Sequence, residues 1–182
     1  KSATLEICNF DGPVYLRFGR PKVANFTNPS DKFQIGKGVM LNKGNDVTIV
    51  ATGHLVWEAI QAAEKLEKNG INAEIINIHT IKPLDEDLIL NSVNKTGCIV
   101  SAEEHNIFGG LGESIARLLT SKAPYPQEFV GTNDTFGESG TPIELMNKYG
   151  LNMNSIYDAV IRLIKRKAVS YTHLRAHETT DN

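Results

Sequence analysis

The chain has 182 residues, 41% of them hydrophobic and 22% charged, the composition of an ordinary globular protein of one domain plus a fragment. A formal charge of −2 gives no support for nucleic-acid binding or a polybasic membrane contact. No apolar run approaches the roughly 20 residues that cross a bilayer. The two cysteines, Cys8 and Cys98, have no partners at metal spacing and fit a reducing cytosol better than a disulfide framework.

The chain opens at Lys1 without an initiator Met or a secretory signal, and its first residues read as entering in mid-element. Gly12-Pro13 makes a turn, and Val14, Tyr15, Leu16 and Phe18 are strand formers. A lone strand cannot bury itself, so this one is expected to belong to a preceding domain. Residues 21–38 are rich in Pro, Asn, Gly and Lys and read as a linker. Val39 to Leu41 add a short strand, followed by a hairpin-like turn at Lys43, Gly44, Asn45 and Asp46.

From Asp46 strands and helices alternate. DVTIVATG is a buried strand whose Thr52-Gly53-His54 opens a helix with Val56, Ala59, Ile60, Ala63 and Leu66 on its apolar stripe, closed at Asn69-Gly70. AEIINIHT is the next strand. Pro83 sits in the following turn, and Asp85 and Asp87 suit the start of a helix over DEDLILNSVNKTG. Residues 98–119 then give a buried strand, an acidic turn at Glu103, Glu104 and His105, a glycine loop at Gly109, Gly110 and Gly112, and a helix with Ile115, Leu118 and Leu119 on one face. After Pro124 and Pro126, EFVGTNDTF supplies the last strand, and TPIELMNKYG a short helix with Pro at its first turn. Residues 155–167 form a terminal amphipathic helix with Ile156, Val160, Leu163 and Ile164 inward. The pattern predicts an α/β fold of four or five strands, with right-handed crossovers.

After Lys167 the hydrophobic pattern stops. VSYTHLRAHET resembles the translation of a common sequencing adapter, so residues 168–182 are read as a non-native tail. His173 and His177 stand four apart, a spacing that would suit a metal pair on a helix only if the tail were native.

Ligand sites in parallel α/β sheets gather where strands hand over to helices, so the stretch at 98–119 is the first place to look for chemistry. GGLG is not the dinucleotide fingerprint, because the third glycine and the acidic residue about 20 positions on are both missing. Its glycines read as a tight strand-to-helix turn. Glu103, Glu104 and His105 could do acid–base work, or could form a hydrogen-bonded corner or an interface contact. Arg17 and Arg20 flank a strand end, where a guanidinium could anchor phosphate or carboxylate. His54 and His79 follow strands and read as structural. There is no P-loop and no nucleophile elbow.

Four stretches in unbroken order resemble the C-terminal part of transketolases: GPVYLRFGRPKV, INAEIINIHTIKPLDEDLI, SAEEHNIFGGLGESI and VGTNDTFGESGTPIELMNKYGL. The wording is closest to the bacterial split form, in which two shorter chains make the enzyme. The resemblance implies a three-layer, mostly parallel sheet with one antiparallel strand, plus a remnant of a preceding α/β domain. It divides the chain into the end of a pyrimidine-binding domain (1–24), a linker (25–38), a C-terminal domain (39–167) and the tail. It implies transfer of a two-carbon ketol unit between sugar phosphates in the pentose phosphate pathway, with thiamine diphosphate and Mg²⁺ held by upstream domains and none bound by this fragment alone. It implies a cytoplasmic homodimer or heterotetramer, with Arg20 binding the substrate phosphate. Glu103, Glu104, His105, Gly109, Gly110 and Gly112 then form a structural or interface loop, with no catalytic residue and no metal ligand here. Related alternatives are 1-deoxy-D-xylulose-5-phosphate synthase and the beta subunit of a 2-oxo acid dehydrogenase. From a different class, the chain could be a non-catalytic α/β assembly or nucleotide-binding domain.

Overall fold

A computed structural model of the chain describes residues 1–19, 22–28 and 30–178, with side chains to residue 167. Five strands form one sheet in the order β1-β3-β2-β4-β5. They are β1 (Val39–Asn42), β2 (Val47–Ala51), β3 (Ala73–Asn77), β4 (Ile99–Asn106) and β5 (Gln127–Thr132). β1 runs antiparallel to β3, and every other pairing is parallel. The expected mostly parallel sheet with one antiparallel strand is therefore the observed one.

Side chains alternate across β2, and the alternation sorts the helices into two layers. Val47, Ile49 and Ala51 join the buried cluster of α2 (Leu55–Glu67) and α6 (Met153–Glu178). Val50 joins the opposite cluster, under α3 (Glu86–Thr96) and α4 (Leu111–Lys122). All five residues of β2 are buried, which is why the segment reads as a continuous apolar run. Its one polar member, Thr48, lies 2.7 Å from the hydroxyls of both Ser92 and Thr96 on α3, so the buried hydroxyl is satisfied.

The helix ends follow capping chemistry. Asp85 accepts the Leu88 N–H at 3.3 Å and the Gly38 N–H at 2.9 Å, so it starts α3 and fastens the end of the linker. Gly97 closes α3 in the left-handed conformation, with φ of 72°. Thr141 and Glu144 form a reciprocal capping box on α5 (Pro142–Lys148).

Four expectations need correction. The turn at Lys43–Asp46 does not make a hairpin, because β1 pairs with β3 and not with the β2 that follows it. The turn instead crosses the start of β3, where the Asn45 and Asp46 N–H groups both donate to the Asn72 carbonyl at 3.1 Å. The acidic residues Glu103, Glu104 and His105 are not a turn but the last part of β4, which continues to Asn106 beside Thr132 of β5. The strand formers at 14–18 make no strand among the described residues: they find no sheet partner, and Tyr15 and Phe18 are 87% and 82% exposed. The opening residues form a short helix, α1 (Ser2–Ile7), with no buried residue. Finally, α6 does not stop at Lys167 but continues to Glu178, since no Gly or Pro interrupts the residues that follow.

Candidate functional site

The carboxyl ends of β2 and β4 lie side by side, and the chain leaves them in opposite directions. After β2 it passes through α2 to β3, and after β4 through α4 to β5, on the other face of the sheet. Such a divergence opens a crevice, the place where open α/β sheets hold ligands. Alternation along β4 then decides what each residue of the EEH run can reach.

Glu103 points to the α4 layer and is 3% exposed. Its Oε2 accepts the Leu111 N–H at 2.7 Å and its Oε1 the Gly112 N–H at 2.8 Å. The carboxylate thus satisfies two free N–H groups at the amino end of α4, where the helix dipole favours negative charge. The glycines make room for it. A Cβ on Gly110 would stand 2.2 Å from Glu103 Oε2, and one on Gly112 would stand 2.6 Å from the Phe129 ring. Gly109 takes a φ of 76°, which L side chains rarely adopt. The loop thus forms a tight hydrogen-bonded corner between β4 and α4.

Glu104 points the other way, to the start of α2. Its Oε2 lies 3.7 Å from His54 Nδ1, and its backbone carbonyl accepts from Arg17 Nη1 at 3.1 Å. His54 Nε2 is shielded from water and has no hydrogen-bond partner. His54, Glu104, His105, Thr132 and Arg17 line a cavity of about 450 Å³, closed on its apolar side by Leu145, Met146, Tyr149 and Leu151. His105 itself is exposed and donates from Nδ1 to the Asn106 carbonyl at 2.9 Å.

Sequence reading set His54 aside as structural. Its signal was its place just past the end of a fully buried strand, but its partner lies fifty positions away and needs the strand order to be found. His79 does fit the structural expectation: its ring stacks 4.1 Å from Phe33, and burial holds its imidazole below the usual histidine range. Arg20, expected at a substrate phosphate, lies outside the described residues, as do the tail residues 179–182. Among the described residues, no helix is long and apolar enough to cross a membrane.

The model of the transketolase C-terminal domain matches residues 36–156. The chain belongs to the transketolase C-terminal domain family. It is 42% identical over 167 residues to the 6-deoxy-6-sulfo-D-fructose transketolase subunit of Clostridium sp. (strain MSTE9), covering 92% of this chain and 52% of that subunit. Among solved structures, a split-gene transketolase described as an inactive β4 tetramer superposes with a TM-score of 0.88 at 40% identity, covering 90% of this chain and 54% of that one. A 1-deoxy-D-xylulose-5-phosphate synthase of Caldanaerobacter subterraneus is 38% identical over 159 residues, covering 86% of this chain and 26% of the synthase. The chain spans about half the length of the transketolase subunits it matches. The transketolase C-terminal fold expected from the sequence is thus the one observed.

Proposed function

We propose that this chain is the C-terminal portion of a transketolase that moves a two-carbon ketol unit between sugar phosphates, and that it is inactive alone. The observation that carries the reading is the 42% identity, over 92% of the chain, to a transketolase subunit. The thiamine diphosphate and Mg²⁺ of such an enzyme would be held upstream. Among the described residues no group of three or more His, Cys, Asp or Glu is arranged for a metal ion. Within the chain, the arginine of the FGRP segment, Arg20, is the residue proposed to hold the substrate phosphate, because a guanidinium matches two phosphate oxygens at once. The partner is the portion carrying the upstream pyrimidine- and pyrophosphate-binding domains, on the same chain or on a separate N-terminal subunit, in a cytoplasmic homodimer or heterotetramer.

The test is ketol transfer by the complete locus, given xylulose 5-phosphate, ribose 5-phosphate, thiamine diphosphate and Mg²⁺. Sedoheptulose 7-phosphate is the expected product. Condensation of pyruvate with glyceraldehyde 3-phosphate instead would move the chain to the deoxyxylulose synthase, whose relatives reach 38% identity.

A further inference from the structure

We propose that Asn69-Gly70, where α2 hands the chain on toward β3, is a covalent modification site at which the asparagine loses its side-chain amide through a cyclic imide. This is independent of the catalytic reading above.

The sequence supplies the chemistry. An asparagine deamidates when the backbone nitrogen of the next residue attacks its Cγ, and a side chain on that residue hinders the approach. Asn69 is followed by the one residue type without a Cβ, and no other asparagine in the chain is followed by glycine. The attack forms a bond from the Gly70 nitrogen to Asn69 Cγ and breaks the bond from Cγ to Nδ2. The Gly70 N–H proton leaves with that nitrogen as ammonia. Water then opens the imide at one carbonyl or the other, giving aspartate or isoaspartate, and no electrons change hands.

The structure supplies the access. Residues 67–70 are all exposed, and a Cβ built on Gly70 would meet nothing within 4 Å. Two contacts hold the reacting groups apart. Asn69 Nδ2 donates to the Lys65 carbonyl at 2.9 Å, and the Gly70 N–H donates to the Glu67 carbonyl at 2.9 Å. Both belong to the exposed last turn of α2, the part of a helix that opens first. Asparagines followed by other small residues are better held. Asn72 precedes Ala73 at the start of β3, and Asn91 precedes the buried Ser92 within α3. Asn154 precedes Ser155, whose N–H donates to Asn152 Oδ1 at 3.0 Å.

The change matters because of what this turn carries. Gly70, with φ of 76°, lets the Ile71 N–H return to the Leu66 carbonyl at 3.0 Å, the closing bond of α2. Asn72 then accepts the Asn45 and Asp46 N–H groups on its carbonyl and donates its own N–H to Asp46 Oδ2 at 2.6 Å. Isoaspartate adds a methylene to the backbone just before this closure. Aspartate loses the bond to Lys65 and puts negative charge at the carbonyl end of the helix. Both products loosen the turn that seats the start of β3.

The full chain, held for days at mildly alkaline pH and mapped by peptide mass spectrometry, tests this. Asn69 is expected to convert at least about tenfold faster than Asn72, Asn91 or Asn154, because only its neighbour lacks a Cβ. The product should accept a methyl group from an isoaspartyl methyltransferase, and Asn69→Gln, which would need a larger imide ring, should give none. Asn69→Asp should melt below the parent. Conversion at Asn69 no faster than at the other three would overturn the proposal, and so would an Asn69 that stays intact in the folded chain while it converts in denaturant. Neither result depends on a variant that folds. An Asn69→Asp chain as stable as the parent would overturn the effect on the turn.

Discussion

Gly110 owes its identity to Glu103. A Cβ at position 110 would stand 2.2 Å from Glu103 Oε2, the oxygen that accepts the Leu111 N–H at 2.7 Å. The carboxylate and the missing side chain are one device, which holds the amino end of α4 against the end of β4. Glu103→Ala should therefore cost about 2–3 kcal/mol, the sum of a lost cap and two buried N–H groups left without partners. Gly110→Ala should destabilise as well, by pushing the carboxylate off its donors. Urea denaturation of each variant checks both, and a Glu103→Ala chain as stable as the parent would remove the cap from the account.

This corner also marks where the sequence stopped being legible. Strands β2 and β3 and helices α2 and α3 were readable, because a continuous apolar run, a stripe at helical spacing, Asp85 and Gly97 are local signals. The EEH run was not. One step of register decides whether Glu103 or Glu104 faces α4, and a run of two glutamates reads the same either way. The pairing of His54 with Glu104 was beyond reach for a different reason: it needs β2 and β4 to be neighbours although β3 lies between them in the chain. The same non-local order misled the reading of the Lys43–Asp46 turn, since a short connection ordinarily joins strands that pair.

Glu74 gives a pH dependence with a definite sign. It is 2% exposed on β3 and paired with Lys95 of α3, and the Gly44 N–H donates to it at 3.5 Å. Burial alone would raise its pKa, but the hydrogen bonds from Lys95, Ser92 and Gly44 outweigh that and hold it below the usual glutamate range. A carboxyl lowered on folding adds stability that is complete above its unfolded pKa of about 4.3 and is lost as the pH falls through the folded value. Glu74→Gln should therefore be less stable than the parent by about 2 kcal/mol at neutral pH, with the gap narrowing below about pH 4. Thermal melts of both chains between neutral and acid pH check it, and a gap that does not change with pH would separate the carboxylate's packing from its charge.

The buried hydroxyl group on β2 makes a second stability prediction. Thr48→Val keeps the shape of the side chain and removes the atom that lies 2.7 Å from both Ser92 and Thr96. Thr96 can still donate to the Ser92 and Cys98 carbonyls, at 3.1 and 3.2 Å, and the Ser92 hydroxyl keeps Glu74 as its acceptor. The expected loss is about 1 kcal/mol in denaturant unfolding, the worth of an ordinary hydrogen bond. A Thr48→Val chain as stable as the parent would remove these contacts from the account.

For the complete enzyme, Arg20→Ala should raise the KM for the sugar phosphate. Losing a charge-assisted, bidentate contact corresponds to about 2–3 kcal/mol, or roughly a hundredfold in kcat/KM. Arg20→Lys should recover only part, since an ammonium cannot match two phosphate oxygens. Steady-state kinetics with phosphorylated and unphosphorylated sugars distinguish the role: the variant should lose its preference for the phosphorylated substrate. An unchanged KM would dismiss the assignment.

The end of α6 can be tested by truncation. Inside the domain the helix is anchored by Ile156, Ala159, Val160 and Leu163, all fully buried. Its last described anchor is Lys167, whose Nζ donates to the Thr96 carbonyl at 2.5 Å and lies beside Gly97 at the close of α3. The described anchors of α6 thus end at Lys167, and the residues beyond resemble an adapter translation in sequence. Ending the chain after Ala168 should leave the melting temperature unchanged within error. Removing Lys167 as well should lower it, because the carbonyl groups at the end of α3 lose their cation. A clear drop on the first truncation would mean that the tail packs against the domain and would reject its reading as a foreign extension.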